Sequence, residues 1–341
     1  MPTFLSEFSL IDRYSAQRRQ PRHAAVLGIG DDCALLAGRP DHELAVSTDM
    51  LLEGCHFFSD VPPETLGHKA LAVNLSDLAA MGAEPRAFTL ALALPDVSAS
   101  RQDWLDEFVH GLFALADRYG CELVGGDTTA GPLNICITVF GDVPCGQALR
   151  RDAAQPGDDI WVSGELGNAR LALGALRGEW PLAPDELPAL RYALQMPEPR
   201  IALGMELRGV AHAALDLSDG LAGDLSHILE RSKVAARVDV DSLPRSSTLR
   251  AQPLSIQYQC AVEGGDDYEL CFTAPPSRRD TLLALIPRIG VPLTRIGTIH
   301  NLADSAEGNT SVINAHKAHW FDGSGFPIST TWRSFDHFNE E

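Results

Sequence analysis

The chain is 341 residues long, enough for about two domains with substantial cores. Hydrophobic residues make up 45% and charged residues 21%, an ordinary globular balance that excludes disordered, collagen-like and mucin-like chains. The 27 basic residues stand against 46 acidic ones, a net charge of −19, which excludes a broad nucleic-acid surface.

In chain order, the first half alternates strand and helix signals. Ala24 to Gly30 is apolar, Asp31-Asp32 follows, and Cys33 to Ala37 is apolar again before the turn Gly38-Arg39-Pro40-Asp41. Leu44 to Ser47 predicts a short strand ending at Thr48-Asp49. His68 to Met81 lacks Gly and Pro and is rich in Ala and Leu, which predicts a helix stopped by Gly82. Phe88 to Leu94 predicts a strand ended by Pro95, and Trp104 to Tyr119 a helix ended by Gly120. Strand Glu122 to Val124, the turn Gly125-Gly126-Asp127 and the β-branched strand Ile135 to Phe140 complete this half.

Val143 to Asp159 holds the glycines and prolines of a linker, which places a domain boundary at 148/149. Strand Ile160 to Ser163 opens the second half. Ala211 to Leu217 predicts a strand running into Ser218-Asp219-Gly220, with a helix from Leu221 to Arg231. A last αβ stretch holds Cys260 to Val262, the turn Glu263-Gly264-Gly265-Asp266-Asp267, and Glu269 to Thr273; the tail from Asn301 is weakly patterned. Asn74-Leu75-Ser76-Asp77-Leu78 is locally similar to Asp216-Leu217-Ser218-Asp219-Gly220, one short match that does not amount to a repeat.

Several classes fall away at once. The three lysines (Lys69, Lys233, Lys317) do not follow glycines, so a GxxxxGKT phosphate loop is absent. Gly28-Ile29-Gly30 is half a dinucleotide fingerprint, but Cys33 stands where the third glycine belongs and a Pro turn follows instead of a helix. No HRD, DFG or GxSxG motif occurs. Seven cysteines without a CxxC pair fit neither a disulfide framework nor a zinc knuckle. The N-terminus carries Glu7 and Asp12 and does not read as a signal peptide, and the best apolar run, Ala87 to Leu94, is too short to span a membrane. A cytoplasmic location is the expectation.

What stands out is the placement of aspartates at the ends of apolar strands or inside an apolar helix. Asp31 and Asp32, Asp49, Asp127, and Asp266 with Asp267 each follow a strand or a glycine pair; Asp219 starts a helix. Any one of them is also what a turn or an N-cap would carry. Asp77 and Asp216 differ, because an ionised carboxylate among aliphatic neighbours costs several kcal/mol to bury unless paired or metal-bound. With so few lysines, divalent cations are the natural partners. Oxygen ligands without a His/Cys cluster point to Mg²⁺ or Mn²⁺, and Mg²⁺ completes its shell with waters and substrate phosphates. Glycine turns let backbone N–H groups approach those phosphates. His56, beside Phe57 and Phe58, reads as a structural histidine or a ligand contact.

Taken together, GIGDDCALL (28–36), STDMLLEGCHF (47–57), KALAVNLSDLAAMGAEP (69–85), GGDTTAGP (125–132), LDLSDGL (215–221) and GGDDYELCF (264–272) resemble the thiamine-monophosphate kinase family, in order, over almost the whole chain from Phe8 to FDHF (335–338). The resemblance implies a two-domain α+β fold like aminoimidazole ribonucleotide synthetase, with an N-terminal domain that dimerises through its strands. ATP and several Mg²⁺ ions would lie in the cleft between domains, and the reaction would be ATP + thiamine phosphate → ADP + thiamine diphosphate, the last step of thiamine diphosphate biosynthesis. Carried over by motif, Asp32, Thr48, Asp49, Asp77, Asp127, Asp216 and Asp219 match metal ligands. Gly126, Asp127, Arg151 and Ser218 match ATP contacts, and His56, Asp266 and Phe335 match thiamine-phosphate contacts; Asp31 and Ser47 are adjacent. The family more often has Glu at position 266. No side-chain general base is implied, since a phosphate monoester with a second pKa of about 6 is already largely a dianion at neutral pH. The expected partners are ATP, thiamine phosphate and a second copy of the chain, with no nucleic acid and no membrane.

Three alternatives within the wider group are selenophosphate synthetase, a hydrogenase-maturation protein and a purine-synthesis enzyme. The first wants an N-terminal catalytic Cys and the second a C-terminal Cys, whereas Cys33 follows GIGDD and the chain ends FNEE; motifs of the third are not evident. A non-catalytic Ca²⁺-binding module is a different class, but the EF-hand spacing is absent and the aspartates are dispersed. Nucleotide binding that depends on Mg²⁺ separates the kinase from such a module.

Overall fold

The computed structural model describes residues 24–95, 100–302, 317–328 and 332. Within them the chain divides into two compact units. The first runs to Leu78 and resumes over Ala83–Gly146; the second takes Ala79–Gly82 and everything from Gln147.

The first unit carries strands β1 (Ala25–Leu27), β2 (Leu35–Leu36), β3 (His42–Leu52), β4 (Glu84–Leu94), β5 (Glu122–Ala130) and β6 (Asn134–Pro144), with helices α1 (Pro63–Ala80) and α2 (Ser100–Arg118). β1 and β2 form a small antiparallel pair, and the main sheet has the order β3-β6-β4-β5. β6 is antiparallel to β3 and β4, while β4 and β5 run parallel. α1 buries Leu71, Ala72, Leu75 and Leu78 almost completely, which is why its apolar run holds as a helix. Gly82 ends it in the left-handed conformation (φ 67°). The two helices touch backbone to backbone. A Cβ on Gly67 would lie 1.9 Å from the Phe108 carbonyl oxygen, and one on Gly111 1.9 Å from that of Glu64.

Two sequence expectations change here. The strand predicted over Leu44 to Ser47 extends to eleven residues, because β6 offers an unbroken partner from Asn134 to Pro144. The Gly125-Gly126-Asp127 turn is not a turn; it lies inside β5, just past a register shift against Phe88 and Thr89. Gly126 is needed there, since a Cβ would sit 1.9 Å from the Leu90 carbonyl oxygen.

The second unit is a six-stranded sheet of order β12-β9-β11-β7-β10-β8, built from β7 (Asp159–Ser163), β8 (Ala213–Asp216), β9 (Ala235–Asp239), β10 (Leu270–Ala274), β11 (Leu293–His300) and β12 (Ala318–Phe321). All neighbours are antiparallel except β12 and β9. Its longer helices are α3 (Asn168–Arg177), α4 (Leu187–Gln195), α5 (Ile201–Leu207), α6 (Leu221–Ser232) and α7 (Arg279–Ile289), with two short helical turns at Ser247–Arg250 and Leu254–Tyr258. Ile160, Val162, Leu215 and Cys271 from the sheet pack with Leu171, Leu225 and Ile228 from the helices in one core. Cys260 to Val262, grouped in sequence with the following strand, belongs instead to a wide helical turn over Gln259–Glu263. Together the units are an α+β fold, as the resemblance implies.

Candidate active site

In the first unit the acidic residues gather where β3 meets α1. Asn74 and Asp77, three apart on α1, both face β3. The buried Asn74 accepts the Asp49 backbone N–H at 3.0 Å and donates its own amide to the Ala70 carbonyl, also at 3.0 Å. The Ser47 hydroxyl donates to the Asp77 carboxylate at 2.5 Å. Ser47 and Asp49, two apart on a strand, therefore turn toward the helix. Thr48 points the other way, its hydroxyl 2.8 Å from that of Thr138 on β6. Asp32 lies exposed after β1, its N–H held by the Asp31 carboxylate at 2.8 Å. Asp127 and Gly126 sit on β5, three strands across the sheet from Asp49, a span of about 14 Å at the usual strand spacing.

His56 lies in the turn after β3. Its Nδ1 accepts the Leu52 backbone N–H at 3.0 Å.

In the second unit β8 runs into the turn Leu217-Ser218-Asp219-Gly220, and α6 begins directly after it. The Asp224 carboxylate, on the first turn of α6, reaches back to accept the N–H groups of Asp219 (3.0 Å) and Gly220 (3.1 Å). Burial, together with the neighbouring Asp219 and Asp216, pushes the Asp224 carboxyl up to about 8. The exposed Arg151 opposes this weakly.

A second turn lies against the first. The N–H of Asp266 donates to the Ser218 carbonyl at 2.9 Å, that of Tyr268 to Leu217 at 2.8 Å, and that of Leu217 back to Glu269 at 2.8 Å. These bonds continue the β8–β10 ladder beyond Asp216 and Leu270. The approach is close enough that a Cβ on Gly265 would lie 2.3 Å from the Ser218 carbonyl oxygen, and one on Gly220 2.5 Å from that of Glu263. Behind the turns, the buried Glu269 is gripped by Arg200 through two hydrogen bonds and by the Ser163 hydroxyl at 2.5 Å. Phe335 lies outside the described residues.

These donors suit Mg²⁺. They are oxygen ligands, and around the β8–α6 turn Asp219 and Asp216 raise the proton affinity of Asp224, a repulsion that a cation relieves. Among the described residues no three His, Cys, Asp or Glu side chains could hold a metal ion unaided. Mg²⁺ asks for one or two carboxylates plus waters and phosphates, so pairs suffice.

Comparison with known proteins places this arrangement. The AIR synthase related protein N-terminal domain matches residues 30–143, and the corresponding C-terminal domain matches residues 155–306. The thiamine-monophosphate kinase of Salmonella typhimurium is 45% identical over 97% of this chain and 98% of its own length. The chain belongs to the thiamine-monophosphate kinase family. The Haemophilus influenzae member is 41% identical over 98% of this chain and 99% of its own. Among solved structures, the thiamine-monophosphate kinase of Stenotrophomonas maltophilia superposes with a TM-score of 0.82 at 48% identity, covering 95% of this chain and 98% of that one. AaThiL complexed with AMPPCP and TMP superposes with a TM-score of 0.72 at 29% identity, covering 98% of this chain and 97% of that one. Hydrogenase maturation protein HypE in complex with ATP, at 21% identity and a TM-score of 0.75, shares the fold, covering 99% of this chain and 97% of that one.

Within this family frame, sequence reasoning singled out Asp267 as an acid after a glycine pair but missed Asp224 and the Arg200–Glu269 pair. Asp224 carried one legible signal, an acid in the first turn of a helix that follows a Ser-Asp-Gly turn. The pair carried none, because its two members are remote in the chain. No helix among the described residues is long and apolar enough to cross a membrane.

Proposed function

We propose that the protein transfers the γ-phosphoryl group of ATP to the phosphate of thiamine phosphate, giving thiamine diphosphate and ADP in the last step of thiamine diphosphate biosynthesis. The observation that carries this reading is whole-length identity of 45% to a thiamine-monophosphate kinase, with the family's motifs falling on the two carboxylate regions described above. AaThiL, which binds AMPPCP and TMP, supports ATP and thiamine phosphate as the substrate pair.

In the first unit Asp49 and Asp77, with Asp32 and Asp127, would hold Mg²⁺, while the Thr48 hydroxyl faces the other side of the sheet against Thr138; in the second unit Asp216 and Asp219 would do so. Bound Mg²⁺ would supply neutralisation of the charge on the polyphosphate. Ser47 holds the Asp77 carboxylate and Asn74 holds the Asp49 backbone, which limits how far this corner must reorganise on binding. Gly126, Arg151 and Ser218 would contact ATP. His56 would offer its Nε2 proton to thiamine phosphate, and Asp266 and Phe335 would complete that contact. Asp266 has a physical purpose there, since thiamine carries a fixed cation and N–H donors. No side chain has to remove a proton from the acceptor, which is already largely a dianion at neutral pH.

A homodimer built on the first unit's sheet is part of the same proposal. Leu44, Val46, Met50 and Leu52 project from one face of β3 and are 54%, 55%, 48% and 37% exposed, two apolar pairs on either side of Thr48, of the kind that marks an interface. A cytoplasmic location accords with the reducing, disulfide-free cysteine usage.

The test is incubation with ATP, Mg²⁺ and a panel of phosphorylated and free acceptors, followed by product identification. Mg²⁺-dependent formation of thiamine diphosphate from thiamine phosphate is expected, with free thiamine a poor acceptor. Equal conversion of free thiamine would overturn the dianion argument, and no conversion of thiamine phosphate the proposal itself.

A further inference from the structure

The Gly264–Glu269 turn holds an unusual backbone. Asp266 (φ 66°) and Tyr268 (φ 51°) are both left-handed although neither is glycine, and they flank Asp267. A chain of L-residues does not hold such a shape without outside support.

Asp267 supplies it. Its carboxylate oxygens lie 3.0 and 2.8 Å from the backbone nitrogen of Gly167, and the Ala169 N–H also bonds to it. Gly167 is the N-cap residue of α3 and has no side chain to cap with, so the first turn of α3 takes its acceptor from a residue 100 positions away. Gly167 has no room for a larger residue, since a Cβ there would lie 2.7 Å from the Cys260 carbonyl carbon. The Asp267 side chain thus points to the helix end, while the backbone N–H groups of its two neighbours bond to Ser218 and Leu217.

We propose that Asp267 is a positioning residue, holding the left-handed Asp266–Tyr268 turn in place by its carboxylate clamp on α3 and so fixing where Asp266 meets thiamine phosphate. The proposal rests on the reading above that Asp266 faces that substrate. It assigns Asp267 no contact with substrate, metal or nucleotide. Removal of the clamp frees the turn to relax toward right-handed backbone, which displaces the Asp266 carboxylate. The Ser218-Asp219-Gly220 turn keeps its own support from Asp224.

Steady-state kinetics with each substrate varied, on Asp267→Ala, Asp267→Asn and Asp266→Ala, tests it. Asp267→Ala is expected to raise KM for thiamine phosphate about tenfold or more, the loss typical of leaving a buried N–H without its acceptor, with KM for ATP within about twofold of the parent. Asp267→Asn keeps one acceptor oxygen and should recover much of that loss, and the Gly167 amide should exchange with solvent faster in the alanine variant than in the asparagine variant. Equal rises in both KM values, or an unchanged KM for thiamine phosphate, overturn the positioning role. If Asp267→Ala does not fold, Asp267→Asn alone decides, by a rise of about threefold in KM for thiamine phosphate only, or its absence. Asp266→Ala separates the two levels. If it leaves KM for thiamine phosphate unchanged, the substrate assignment itself fails, whereas a raised KM in Asp266→Ala beside a normal one in Asp267→Ala removes only the clamp.

Discussion

At the scale of single residues, ligand and cap make opposite predictions. A lost N-cap costs on the order of 1 kcal/mol and leaves activity in place. Asp49→Asn and Asp77→Asn should instead melt at or above the parent temperature without metal, because each removes a charge from a crowded acidic corner, yet lose phosphoryl transfer at saturating Mg²⁺. A destabilised but fully active Asp49→Asn would return that residue to a structural role. Asp224 gives a pH-dependent counterpart. Its carboxyl is raised to about 8 in the folded protein, against about 4 in an unfolded chain. The folded state therefore binds the proton more tightly, and this contribution to stability is complete below pH of about 4 and lost as the pH rises through about 8. Metal-free Asp224→Asn should show a shallower fall in melting temperature over that window and should melt higher than the parent at its alkaline end. A parallel fall in both proteins would mean that Asp224 is ionised throughout.

At the scale of elements, the crossing of α1 and α2 depends on two glycines that meet backbone on the opposite helix. Gly67→Ala and Gly111→Ala should each cost about 1–3 kcal/mol or more by overpacking, read as a lower denaturant midpoint, because the obstructing atoms are main-chain carbonyls that cannot swing aside. Midpoints equal to the parent would show that the helices can part. Gly67 also shows the limit of the sequence, since nothing in the surrounding apolar run marks it as a contact. The helix itself was legible down to Gly82, because periodicity and a left-handed stop are local properties. Strands β4, β6 and β7 were legible for the same reason. β12 was not, since four residues in a weakly patterned tail become a strand only by lying beside β9. The Gly-Gly-Asp of β5 was misread as a turn because glycine pairs usually break strands, and what keeps them extended is the neighbouring β4.

At the scale of the molecule, motif order read the family correctly, while the grouping of its acids could not be read at all. Asp49 and Asp77 share a helix–strand corner, Thr48 turns to the opposite face, and Asp127 stands three strands away; only the sheet order reveals this. The exposed apolar pairs on β3 carry a prediction at this scale. Val46→Lys should shift the protein from dimer to monomer in sedimentation velocity with the melting transition of the first unit retained. A dimer that persists would move the interface elsewhere on the molecule.

The remote cap on α3 has a consequence for how the second unit is made. Gly167 waits for Asp267, and β7, its central strand, pairs with β10 and β11, which follow it by more than 100 residues. Contacts so distant in sequence form late, because the closing of a long loop precedes any reward from it. A ribosome releases α3 well before the acceptor for its first turn exists. The Gly264–Glu269 turn is therefore among the last parts of the unit to take shape, and a chain stopped short of Asp267 holds most of the helices of this unit without that turn.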